Sequence, residues 1–70
     1  MASKRAQIVG RVVFSQGDGV EQEVPIGACE IDATSQDATI SWVEGDVAGT
    51  AVLPIDTYTV YLTEGSIVLT

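Results

Sequence analysis

Chemistry at a protein surface needs a nucleophile, a base or a set of metal ligands, and this chain is sparing with all three. It has no His, which removes the commonest general base and every Ser–His or Cys–His dyad. Its one thiol, Cys29, lies in the alternating run Cys29-Glu30-Ile31-Asp32. An acidic field disfavours the thiolate, so Cys29 reads as a small core residue. One Cys and no His also exclude an intrachain disulfide and an ordinary structural zinc site. Ten carboxylates remain. Two of them about 5–9 Å apart could share acid–base work, yet nothing in the row marks any pair as buried. Gly17-Asp18-Gly19 and Glu44-Gly45-Asp46 put carboxylates in turns, where Ca2+ would find oxygen ligands. Neither has the spaced Asp/Asn ligands and closing Glu of a calcium loop. Gly17-Asp18-Gly19 also lacks a following Lys to hold phosphate, and Asp56-Thr57-Tyr58 lacks the Gly of an aspartic-protease signature. The chain is therefore expected to be non-enzymatic, with no catalytic residue, no cofactor and no metal.

Binding is the remaining chemistry. Of the four aromatics, Phe14, Trp42 and Tyr58 fall on the more apolar side of their runs and are expected in the core. Tyr61 alternates with Thr59 and Thr63, and an exposed Tyr on a Thr-rich strand face can anchor a contact. Glu21 and Glu23 form the polar side of another alternating run. These five residues, Tyr61, Thr59, Thr63, Glu21 and Glu23, are the candidate interaction surface. Charge narrows the partner. All three bases, Lys4, Arg5 and Arg11, lie in the first eleven positions, whereas residues 12 to 70 carry ten acids and no base. That body repels nucleic acid and anionic lipid and attracts a basic protein.

The elements that must position these groups read as strands. Ten Val, six Ile and seven Thr favour pleated surfaces over helices. Gly and Pro punctuate short alternating runs, as in a small sandwich or barrel. Gln7–Ser15 reads as the first strand and ends at the turn signal Gln16-Gly17-Asp18-Gly19. Val20–Ala33 reads as one long bent strand or two short ones. Its phase slips at Gly27, the signature of a β-bulge. Thr34-Ser35-Gln36-Asp37 is a polar loop. Ala38, Ile40 and Trp42 mark the next strand, closed by Glu44-Gly45-Asp46. A strand over Thr50–Leu53, stopped by Pro54, precedes the cleanest alternation in the chain, Thr57–Thr63. Glu64-Gly65 then joins it in a hairpin to an apolar C-terminal strand, Ile67–Leu69. Residues 1–6 are expected to be a loose N-terminal arm.

Seventy residues form one domain, here 7–70. Domains this small bury about 60% of their unfolded surface and often need reinforcement, of which self-association is the form left open here. The fold expected is all-β: a small antiparallel barrel or strongly bent sheet of about five to six strands, with a bulge near Gly27. Its expected core is Ile8, Val12, Phe14, Val24, Ile26, Cys29, Ile31, Ile40, Trp42, Leu53, Tyr58, Val60, Leu62, Ile67 and Leu69. No run approaches the ~18 apolar residues of a spanning helix; the expected setting is cytoplasmic, which a lone reduced Cys suits. The leading functional expectation is a protein-interaction module. The alternatives are a homo-oligomeric unit of a larger cellular or viral particle, suggested by the apolar C-terminal strand, and a small-ligand or Ca2+ binder.

Overall fold

Alternating Val, Ile and Thr runs become strands where turn residues separate them, and the computed structural model, which describes residues 3–16 and 19–70, contains seven. They are β1 (Lys4–Ile8), β2 (Val13–Gln16), β3 (Val20–Glu23), β4 (Gly27–Ala33), β5 (Asp37–Glu44), β6 (Val47–Pro54) and β7 (Ile67–Leu69). One helix, α1 (Ile55–Glu64), stands between β6 and β7. The main sheet has the order β6-β5-β4-β1-β7, with every neighbouring pair antiparallel. β2 and β3 form a separate two-stranded ribbon. The expected turn between them includes Gly17 and Asp18, which lie outside the described residues.

Register gives the main sheet two unlike faces, because directly paired residues point the same way. The inner face carries Ala6, Ile8, Cys29, Ile31, Ala38, Ile40, Ala51, Leu53 and Ile67, all buried. Across it lie α1 and the ribbon, which contribute Tyr58, Phe14 and the adjoining Val12 and Val24 to the same core. Trp42 is paired with Gly49 in register, and a Cβ on Gly49 would stand 2.6 Å from Trp42 Nε1. Only a glycine lets the indole lie flat there. The indole meets Phe14 edge to face, with centroids 6.1 Å apart and planes at 62°. That contact seats the ribbon on the sheet.

The class is mostly β as expected, but the barrel is not formed. β6 and β7 are the two open edges of one sheet, and β2–β3 is a second sheet. The phase slip at Gly27 proves to be a change of sheet. Gly27 adopts φ +136°, a conformation L side chains rarely take, and the chain there leaves the ribbon as β3 and enters the main sheet as β4. The slip therefore divides two short strands, with no bulge inside one long bent strand. β1 begins at Lys4 and pairs on both sides, so residues 4–6, expected within a loose arm, belong to the sheet.

The larger correction is α1. Thr57–Thr63, expected as a strand, is helical, and the expected hairpin turn at Glu64-Gly65 is a helix end. Pro54 precedes the first helical residue, and the Ile55 N–H is bonded to the Gln36 carbonyl at 3.0 Å. Gly65 closes the helix in the left-handed conformation, φ 86°. Its N–H bonds the Leu62 carbonyl, and the Ser66 N–H bonds the Tyr61 carbonyl at 3.0 Å. This is the Schellman arrangement that glycine favours. Ile55, Tyr58, Tyr61 and Leu62 recur at helical spacing and turn inward. Two expected core residues face solvent for different reasons: Val60, 51% exposed, lies on the outer side of the helix, and Ile26, 68% exposed, lies in the β3–β4 link. Leu69, on the short edge strand β7, is also exposed. Trp42 and Leu62 are half-buried, and the other ten expected core residues are buried.

The sign of one substitution separates helix from strand. Val60→Ala should stabilise the domain by roughly 0.5 kcal/mol, since Ala is the better helix former at an exposed site. Urea unfolding checks it; on a strand the same change would destabilise.

Candidate functional site

The expected interaction surface is divided by the helix. On α1, Thr59 and Thr63 lie one turn apart and exposed, while Tyr61 turns toward the core. Thr59 Oγ1 donates to the Ile55 carbonyl at 2.9 Å, a local helix bond. The Tyr61 hydroxyl accepts from the Val13 N–H at 3.2 Å and donates to the Val13 carbonyl at 3.4 Å. Tyr61 thus ties α1 to β2. Glu23, exposed on β3, pairs with Arg11 at 3.3 Å; both side chains are well solvated, so the pair adds little stability.

Glu21 and Tyr61 are nevertheless brought together. A cleft of about 420 Å³ opens between β2, the end of β6 and α1. Its walls are Val13, Phe14, Ser15, Glu21, Val52, Leu53, Pro54, Thr57 and Tyr61. Among the described residues, its polar side chains are the hydroxyls of Ser15, Thr57 and Tyr61 and the Glu21 carboxylate.

The cleft adjoins the longer open edge of the sheet, which sequence reading did not single out. β6 contains no charged residue over Val47–Pro54. Glu44 and Val47 flank the two-residue turn Gly45-Asp46, with Gly45 at φ 63°. Residues flanking such a turn form a hydrogen-bonded pair, and bonding alternates along an antiparallel ladder. Val47, Gly49, Ala51 and Leu53 therefore bond inward to β5, while the N–H and C=O groups of Ala48, Thr50 and Val52 point outward. The same alternation holds between β1 and β7, where the Val9 N–H meets the Ser66 carbonyl at 2.9 Å and the Thr70 N–H meets the Arg5 carbonyl at 3.0 Å. Among the described residues, no hydrogen bond reaches the outer side of β6. Pro54, lacking an N–H, ends that edge where the cleft begins.

Cys29 is buried and unpaired. Burial pushes its thiol above the ordinary range, and burial, then the neighbouring Cys29, raises the Tyr58 phenol. Neither residue lines the cleft. Among the described residues, no three carboxylates or thiols gather as a metal site would require, and no helix is long and apolar enough to cross a membrane. Comparison with protein-family models, curated proteins and solved structures gives no match.

Two outcomes follow from this geometry. Tyr61→Phe, which leaves the half-buried Val13 N–H without its partner, should cost about 1 kcal/mol in urea unfolding with the helical circular-dichroism signal retained. The Cys29 thiol has a higher pKa folded than unfolded, so its contribution to stability is complete below the unfolded value and declines above it. The urea midpoint should hold steady below the ordinary thiol range and fall as pH rises through and above it, less steeply in Cys29→Ala. A midpoint constant across that range would contradict the assignment.

Proposed function

We propose that this domain is a non-enzymatic protein-interaction module that adds an extended, basic segment of its partner to the outer edge of β6. The carrying observation is the open edge itself: an eight-residue, uncharged strand with three unpaired outward peptide groups. An unprotected strand edge is a template for another strand, and main-chain bonds supply affinity in this mode of recognition. Charge supplies the selectivity. Asp46 stands at one end of β6 and Glu21 in the cleft at the other, on a body whose acids outnumber its bases by ten to none beyond residue 11. A Lys or Arg of the added segment that enters the cleft meets Glu21 there, against the Tyr61 ring and the hydroxyls of Ser15 and Thr57. The unpaired thiol suits a reducing, cytoplasmic setting.

The test is a titration of isotopically labelled domain with a peptide of about nine residues alternating Val or Thr with Lys, followed by NMR. Resonances of Ala48–Val52 and of the cleft should shift together, and the affinity should fall as salt rises. Thr50→Pro removes one outward N–H without touching the bonds to β5 and should weaken binding at least tenfold. Glu21→Lys should weaken it several-fold. Shifts confined to other surfaces, or equal binding of a peptide with Glu in place of Lys, would sink the proposal.

A further inference from the structure

The outer face of the main sheet is uncovered, and its pattern matches itself. α1 and the ribbon occupy only the inner face. On the other, register lays down a row of Arg5, Glu30, Ser41 and Thr50, flanked by Val68, Gln7 and Ala28 across β7, β1 and β4 and by Val43 and Ala48 across β5 and β6. The small side chains leave a shallow saddle of about 610 Å³. Val43 at its centre is 71% exposed, and Val68 and Val9 widen the apolar surface toward β7. Arg5 is the only base facing outward from the five strands, and it stands beside Glu30 across the β1–β4 pair.

We propose that this face is covered by a second copy of the chain, packed sheet to sheet about a two-fold axis that runs parallel to the strands between β1 and β4. Such an axis exchanges strands on either side of it. It places Arg5 of each copy over Glu30 of the other, sets Ala28 against Gln7, and lays β5, which carries Val43, over β7, which carries Val68. No acid is brought onto an acid. Sheets packed this way keep their strands within about 30° of each other, and the residues nearest the axis are displaced least by that rotation. Arg5 and Glu30 are those residues. An axis perpendicular to the strands through the same row would instead stack Arg5 on Arg5 and Glu30 on Glu30. The overlap spans four strands, about 19 Å, and with side-chain relief buries on the order of 1,000 Å² in total, the lower bound for specific association. The dimer is accordingly weak and concentration-dependent. Closed two-fold pairing of this kind is the commonest form of self-association, and here it supplies a second layer to a chain of marginal size. It leaves the β6 edge free, so it stands or falls apart from the proposed binding mode.

Sedimentation equilibrium from about 10 µM to 1 mM decides the matter. The wild-type domain should shift from monomer toward dimer across that range. Arg5→Glu and Glu30→Arg should each raise the dissociation constant at least tenfold, with circular dichroism confirming that both remain folded. An equimolar mixture of the two variants should restore the dimer, because each then presents the charge the other lacks; no effect on the stability of a single chain can imitate that rescue. A strict monomer at 1 mM would overturn the proposal. So would a dimer indifferent to both charge reversals but broken by Thr50→Pro, which would place the second copy on the β6 edge.

Discussion

Everything in this domain depends on one sealed sheet face. Ile8, Ile31, Ile40, Leu53 and Ile67, each at most 1% exposed, come from all five strands of the main sheet and leave solvent only because α1 and the β2–β3 ribbon lie over them. Neither cover is stable alone. A two-stranded ribbon is marginal in water, and a ten-residue helix rich in Thr, Val and Tyr has poor intrinsic helicity. Each is held by what it buries. The ribbon is seated by the Phe14–Trp42 contact, which exists because Gly49 makes room for the indole. The helix is bracketed by Pro54 and Gly65 and tied to the ribbon through Tyr61 and Val13.

One-sided cover has consequences for function. The largest apolar side chains of the strands gather on the inner face, and among the described residues no element covers the outer face or closes the sheet. β6 and β7 remain edges. β7 is only three residues long. β6 is long, uncharged and outward-facing. The acidic groups, placed in turns and on exposed strand positions around it, keep like-charged copies from stacking indiscriminately while favouring a basic segment.

The strands were legible in the sequence where alternation and turn residues agreed. The strand marked by Ala38, Ile40 and Trp42 is the clearest case, although it extends at both ends into the expected loop and turn, to Asp37 and Glu44, and the inward set Ile8, Cys29, Ile31, Ile40 and Leu53 follows from period-two reading alone. The helix was not legible by the same rule. Thr57–Thr63 alternates by accident of composition, and its β-branched residues argue for a strand. The opposing signals were Pro54, Gly65 and the helical spacing of Ile55, Tyr58 and Leu62. Tertiary packing outweighs propensity there. The candidate site was lost with it, since Tyr61, Thr59 and Thr63 share a face only on a strand. Glu21 meets Tyr61 through the packing of ribbon, β6 and helix, a proximity that no local pattern encodes. The apolar, uncharged C-terminal run reads as a possible edge, and β7 is one edge of the sheet; the longer free edge, β6, follows only from the order of strands.

Amide hydrogen exchange along β6 tests the central claim, that this strand is paired on one side only. The Ala48, Thr50 and Val52 amides should exchange rapidly while Gly49, Ala51 and Leu53 are protected, a period-two pattern absent from Ala6–Ile8 of β1, which are paired on both sides. Uniform protection along Val47–Leu53 would mean that the edge is covered, and would contradict this account.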